Sequence, residues 1–215
     1  MIYADSLDEQ AVSFSNLGFI NGLTTNPSII IKDRPSWGFE KTIKFLQSVK
    51  GHHFIQGSIK KDKKWFEVVK DLSTNKKIEP EKFTIKLPWD PLIAPGYVLP
   101  LKKWGFKVCA TAVYTIQQTY TAICSNVDYI AFYYDRMKNS KINVEKQLAD
   151  IVNVCKIHNP SLRLLGASIK DVNTANELIK LGISDITLPL NVLLDYLKVE
   201  FPQDDLNRFE SDYKL

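Results

Sequence analysis

Cysteine and histidine are scarce in this sequence, with three of each among 215 residues. Cys109, Cys124 and Cys155 are odd in number and far apart, which argues against a disulfide framework and fits free thiols in a reducing compartment. His52, His53 and His158 have no spacing suited to zinc, so neither a metal site nor a cofactor is expected. No apolar run reaches the length that spans a bilayer, which leaves no expectation of a membrane helix. A strong excess of one charge is missing too, since the formal net charge is only +4. The densest basic run, Lys60, Lys61, Lys63 and Lys64, lacks interleaved aromatics. It reads as the solvated start of a helix and not as a nucleic-acid surface. No Gly-x-Gly-x-x-Gly follows the first strand, which argues against a dinucleotide-binding open sheet. The chain opens directly on strand-like Met1 to Asp5 with no secretion signal, so a cytoplasmic protein is expected.

What is present is an ordinary globular composition, 45% hydrophobic and 24% charged, with enough chain for one packed core. Strand and helix patterns alternate along it. Ile2 to Asp5 reads as a strand, and Ser6 can cap a helix carrying Ala11, Val12, Phe14 and Leu17. Phe19 to Thr25 returns to strand character, and Asn26-Pro27-Ser28 reads as a turn. Phe39, Ile43, Leu46 and Val49 form a helical stripe. Strands follow at 53–58, 83–87, 106–113, 128–133, 162–168 and 185–190, separated by helical stretches such as Ile142 to Cys155. Pro91, Pro95 and Pro100 weaken any helix over 91–104. Leu17-Gly18-Phe19, Trp104-Gly105-Phe106 and Leu181-Gly182-Ile183 each join a helix end to the next strand, with glycine as the left-handed cap. About eight strands alternating with helices is the pattern of a (β/α)8 TIM barrel, and 1–215 reads as a single domain. The chain closes on a C-terminal helix over 203–214, whose Leu206, Phe209 and Tyr213 share a face. That face packs on its own barrel or on a neighbouring subunit.

In such a barrel chemistry sits at the C-terminal strand ends, and residues two apart share a face. Strand parity then offers Asp5, Thr24 and Asn26, Gln56 and Ser58, Thr84 and Lys86, Cys109 and Thr111, Ala131 and Tyr133 with Arg136, and Ser168 with Lys170. The centre of this set is Phe83-Thr84-Ile85-Lys86-Leu87-Pro88. An ammonium flanked by Ile85 and Leu87 loses hydration, and a lysine in such a place can attack a carbonyl and form a Schiff base. Each residue also has a plainer explanation. Lys86 can snorkel to water, Asp5 can cap a helix, Asn26 can serve a turn, and Tyr133 can be core. Gln56, Thr111 and Ser168 can be satisfied polar groups, and Arg136 and Lys170 can be solvated.

The segments Gly22-Leu23-Thr24-Thr25-Asn26-Pro27-Ser28-Ile29-Ile30, Ile85-Lys86-Leu87-Pro88, Thr111-Ala112-Val113-Tyr114, Ala167-Ser168-Ile169-Lys170 and Asp185-Ile186-Thr187-Leu188-Pro189-Leu190 lie in that order along almost the whole chain. Together they resemble the transaldolase family, in its small single-domain branch that includes fructose-6-phosphate aldolases. The resemblance implies a class I mechanism without a cofactor. Lys86 would form the Schiff base with the ketose C2 carbonyl, and Asp5 would handle the C4 hydroxyl proton. Thr24 and Asn26 would orient substrate hydroxyls, and Gln56, Thr111 and Tyr133 would position a catalytic water. Arg136, Ser168 and Lys170 match the phosphate end.

Gln56 and Tyr133 resemble the aldolase branch, where transaldolases have Glu and Phe. Aldolase chemistry on fructose 6-phosphate is therefore the expected reading. The alternatives are dihydroxyacetone transfer to erythrose 4-phosphate in the pentose phosphate pathway, or a silent sugar-phosphate-binding barrel. The family also implies a homo-oligomer, a pentamer or a decamer. Trp89-Asp90-Pro91 and Asp135 depart from the family pattern, and Asp135 puts a carboxylate next to the phosphate end.

Overall fold

A computed structural model describes residues 1–60, 63–140, 143–198 and 203–213. Lys61, Ile142 and the far end of the 203–214 range lie outside the described residues. Seven strands form one parallel sheet: β1 (Ile2–Ala4), β2 (His53–Gln56), β3 (Phe83–Pro88), β4 (Lys107–Thr111), β5 (Tyr129–Tyr133), β6 (Arg163–Ala167) and β7 (Asp185–Leu188). They run in the order β1-β7-β6-β5-β4-β3-β2. The two ends of that sheet meet. Ala4 bridges Leu23 and Thr24 bridges Phe54, both in parallel sense. The Thr24 amide donates to the Ala4 carbonyl at 2.8 Å, and the Phe54 amide donates to that of Leu23 at 2.9 Å. Residues 23 and 24 are thus a two-residue eighth stave that joins β1 to β2, and among the described residues the sheet closes into a barrel. The strand expected over 19–25 bridges its neighbours at Leu23 and Thr24, and its flanks bond to the same two strands, the Asn21 amide donating to the Ile2 carbonyl and the Thr25 amide to that of Phe54.

Helices α1 (Glu9–Leu17), α2 (Pro27–Asp33), α3 (Phe39–Gln47), α4 (Lys64–Thr74), α5 (Pro95–Lys103), α6 (Ile116–Cys124), α8 (Val144–His158), α9 (Val172–Lys180) and α10 (Leu190–Leu197) alternate with the staves. The short α7 (Tyr134–Lys138) follows β5. Burial falls into two sets, as a barrel requires. Ile85, Leu87, Val108, Ala110, Ile130 and Phe132 point out from the strands to the helices. Tyr3, Phe54, Cys109, Tyr129, Ala131 and Leu165 form a separate cluster in the lumen. Phe54 meets both Tyr3 and Tyr129 edge-on, with ring centroids 5.1 and 5.0 Å away, so the lumen is packed and not a channel.

The glycine junctions behave as the sequence indicates. Gly18 adopts φ +81°, and the amide of Phe19 reaches back to the carbonyl of Phe14. The same bond joins Phe106 to Leu101 and Ile183 to Leu178. Three expectations need correction. Asp8, not Ser6, caps α1, accepting from the Gln10 amide at 2.9 Å; the Ser6 hydroxyl is turned to Asp33 instead. Asn26-Pro27 is a helix start and not a turn: the Asn26 side chain accepts from the Ile29 amide, and Pro27 takes the first position, where no N–H is missed. α5 is a regular nine-residue helix with Pro100 inside it, because burial of Val98 and Leu101 against the barrel offsets the lost backbone bond.

His53 shows how the closing stave is held. Its Nδ1 accepts from the Leu23 amide at 3.2 Å, and its Nε2 lies 3.1 Å from the Val49 carbonyl. An accepting Nδ1 leaves Nε2 as the protonated nitrogen, which makes the ring neutral. Burial pushes its pKa down to about 4, so it stays so at neutral pH.

Candidate active site

Lys86 sits near the C-terminal end of β3 and is 2% exposed. Its face also carries Thr84, while Ile85 and Leu87 point to the helices, so lysine is the one polar group at this level of the strand. Nζ donates to the Thr25 carbonyl at 3.1 Å, and it is therefore anchored at the mouth and does not snorkel to bulk water. Gln56 is its partner in register on β2, and Cys109 is its partner on β4. Burial pushes the Cys109 thiol up to about 12, so it is an inert neutral floor under Lys86.

Asp5, the residue after β1, caps no helix. Its Oδ1 accepts from the Thr24 hydroxyl at 2.7 Å. That Thr24 oxygen also lies 2.7 Å from the Thr187 hydroxyl oxygen. Because Thr24 gives its proton to Asp5, Thr187 is the donor in the second bond. The two hydroxyls form a one-way relay that ends on the carboxylate. Burial raises the Asp5 pKa above the ordinary carboxylate value; Lys86, Thr24 and Lys170 pull it down, and Asp33 adds to the rise. Thr187 was missing from the residues singled out by sequence. Strand parity from Asp185 places it on the lumen side of β7, and that was the available signal.

A second group lies across the mouth. The Thr111 hydroxyl donates to the Tyr133 phenol oxygen at 3.2 Å, which leaves the phenol proton available for a bound water or ligand. The Arg136 guanidinium lies over the Tyr133 ring, 4.7 Å from its centroid. Arg136 is on the exposed side of α7, beside the β6 end, because the Asp135 amide donates to the Ser168 carbonyl at 3.3 Å. Ser168 and Lys170 do not continue the strand. Ser168 has φ +60°, which turns the chain off the sheet, and Lys170 is exposed in the loop beyond. Asn26 offers its amide N–H group to a ligand, its oxygen being engaged as the α2 cap. Gly22 opens the Thr24–Asn26 segment because a Cβ there would sit 1.8 Å from the His52 carbonyl oxygen.

Beside Gln56 the mouth widens into a groove of about 1290 Å³ between α3, α4 and the loop after β3. Trp65 and Trp89 line it, and Lys60 pairs with Asp90 at 3.0 Å. Two of the departures from the family pattern thus have structural roles. Trp89 is buried, with Nε1 donating to Thr121 at 3.0 Å, and Asp90 pairs across to the loop after β2. Among the described residues no cluster of His, Cys, Asp and Glu is placed to hold a metal ion, and no helix is long and apolar enough to cross a membrane.

Comparison with known proteins agrees with this geometry. A family described as Transaldolase/Fructose-6-phosphate aldolase matches residues 2–213. A probable fructose-6-phosphate aldolase of Streptococcus pneumoniae is 27% identical over 201 residues, covering 89% of this chain and 86% of that protein. A probable transaldolase of Clostridium botulinum is 26% identical over 219 residues, covering 99% of this chain and 97% of that protein. With nearly its whole length matched, the chain belongs to the transaldolase/fructose-6-phosphate aldolase family.

Proposed function

We propose that this protein is a class I, Schiff-base enzyme that cleaves or forms the C3–C4 bond of fructose 6-phosphate, favouring release of free dihydroxyacetone. The observation that carries the reading is Lys86, buried at a strand end within reach of the charge of Asp5. In the proposed sequence Lys86 adds to the ketose C2 carbonyl through its amine, the proton it gives up leaves with the carbonyl oxygen in the departing water, and a protonated imine results. Asp5 takes the C4 hydroxyl proton as the C3–C4 electrons move into that imine, and the aldose phosphate departs. Thr24 and the Asn26 amide orient the substrate hydroxyls. Arg136, Ser168 and Lys170 receive the phosphate, with Arg136 held on Tyr133 and the other two on the neighbouring loop.

Partitioning is decided by what protonates the three-carbon unit left on Lys86. The Tyr133 phenol accepts from Thr111, which leaves its own proton to donate; in the proposed mechanism it goes to a water that Gln56 also holds. This supports protonation and release ahead of transfer. Fructose 6-phosphate alone is expected to yield dihydroxyacetone, with erythrose 4-phosphate adding little. Turnover that depends strictly on erythrose 4-phosphate, with a seven-carbon ketose phosphate as product, would establish the transferase reading instead. A silent sugar-phosphate-binding barrel is disfavoured by the joint presence of Lys86 and Asp5.

Assembly is part of the same proposal, as is a cytoplasmic setting. Helix α11 (Gln203–Asp212) leaves Leu206, Phe209 and Tyr213 between 53% and 72% exposed, an apolar face that its own barrel does not cover. That exposed face supports burial by a second copy of the chain, and the assembly proposed is a homo-oligomer, a pentamer or decamer. Light scattering is expected to give a ring-sized mass that falls when Phe209→Glu is introduced; a wild-type monomer at micromolar concentration rules the assembly out.

A further inference from the structure

Asp33 is the last residue of α2, an unfavourable place for a carboxylate, because the carbonyl end of a helix already carries partial negative charge. Local helix preference therefore does not account for it, and its surroundings do. Its Oδ2 accepts both from the Ser6 hydroxyl and from the Leu7 amide, each at 2.8 Å. Its side chain is 10% exposed, so neither bond is a loose surface contact. Ser6 passes the constraint on, since its hydroxyl oxygen accepts from the Asp8 amide at 3.0 Å. The clamped residues come directly after Asp5. On the other side Asp5 is tied to β7, its amide donating to the Leu188 carbonyl at 2.8 Å. Helix α2 thus carries Asn26 as its cap at one end and grips the segment behind Asp5 at the other.

We propose that Asp33 is a positioning residue for Asp5: its carboxylate fixes the Ser6–Leu7 backbone and thereby sets the Asp5 carboxylate against Thr24 and the reacting hydroxyl. The inference rests on the reading of Asp5 as the acid/base group. Asp33 acts on Asp5 in a second way, through its charge. The groups that act on Asp5 are Thr24 on the closing stave, itself bonded to Thr187 on β7, Lys86 on β3, Lys170 on the loop after β6, and Asp33 on α2. Among the charged ones Asp33 is the anion, and it opposes the two lysines by favouring the protonated form of Asp5.

Two substitutions separate the clamp from the charge. Both clamping bonds use one oxygen, so Asp33→Asn can keep them while removing the charge. Asp33→Ala removes both. The acidic limb of the kcat/KM profile with fructose 6-phosphate is expected to move to lower pH in either variant, because Asp5 loses a neighbouring anion. In Asp33→Ala, kcat is also expected to fall by roughly tenfold or more through lost orientation, with KM changed much less. Asp5→Asn, which lacks the limb, ties it to Asp5. A limb that stays in place in both variants overturns the inference, whatever happens to stability. So does an Asp33→Ala protein with wild-type kcat. Should Asp33→Ala fail to fold, Ser6→Ala, which removes one clamping bond and leaves the Asp33 charge, takes its place, and a wild-type kcat there overturns the inference. Borohydride trapping on the wild-type protein guards the underlying reading: no adduct at Lys86 there is a failure of the proposed function, whereas an adduct with an unmoved limb is a failure of the Asp33 inference only.

Discussion

Replacing Lys86 by methionine is expected to abolish turnover while leaving the barrel folded. The side chain is 2% exposed and nearly matched in volume by methionine, so packing is kept. One hydrogen bond, to the Thr25 carbonyl, is lost, at a cost of about 1 kcal/mol. Against that, a buried cation with its desolvation cost is removed, and the net effect on melting temperature is expected to be close to zero or a gain. Activity behaves quite differently. Without the amine there is no imine to accept the C3–C4 electrons in the proposed sequence. A loss in kcat of more than about 10⁴-fold is expected, on the order seen when a covalent nucleophile is removed. Borohydride with fructose 6-phosphate is expected to add the reduced ligand to Lys86 in the wild type and nowhere in the variant. Reduced ligand on exposed Lys170, or a variant with substantial turnover, removes Lys86 from the role.

Much of this site was legible because a strand has a period of two. Parity placed Thr84 with Lys86 and Cys109 with Thr111 on the lumen side, and the structure has them there. It failed where the chain leaves the sheet. Ser168 sits at φ +60°, a turn that periodicity cannot foresee in a residue other than glycine, so Lys170 ends in a loop and not on a strand face. The eighth stave was expected over 19–25, and it bridges its neighbours at Leu23 and Thr24. Asn26-Pro27 carries the sequence signal of a turn and of a helix start alike, and the choice belongs to the burial of Ile30 three residues into α2. Ser6 was expected to cap α1, and Asp8 caps it. The decision rests on Asp33, 27 residues from Ser6, a partner that no local window contains. A contact between distant residues accounts for the omission of Asp33, whereas Thr187 was within reach of strand parity. The long cavity beside Gln56 likewise joins α3 to the loop after β3, and only the closed barrel brings those together.

Asp5→Asn is expected to divide activity from stability most clearly. The amide cannot take the C4 hydroxyl proton, and loss of a positioned base costs on the order of 10²- to 10⁴-fold in kcat. In the proposed sequence imine formation at Lys86 precedes that step, so borohydride is expected to trap the whole six-carbon ligand on Lys86 of the variant, and the three-carbon unit as well in the wild type. Stability moves the opposite way. Burial, the largest influence on Asp5, raises its pKa in the folded protein above the ordinary carboxylate value it has when unfolded. For an acid shifted upward, the stabilising contribution is complete below the ordinary carboxylate range and is lost as the pH rises through the folded value. At neutral pH the ionised carboxylate therefore works against folding, and Asn at this position relieves it. The variant is expected to melt higher than the wild type at neutral pH, with the difference shrinking as the pH falls below the ordinary carboxylate range. Thermal unfolding across that range, beside kcat and the trapped mass, checks all three. An Asp5→Asn protein that melts lower than wild type at neutral pH would show Asp5 to be a structural anchor, and one that keeps most of its turnover would move the proton transfer to another group.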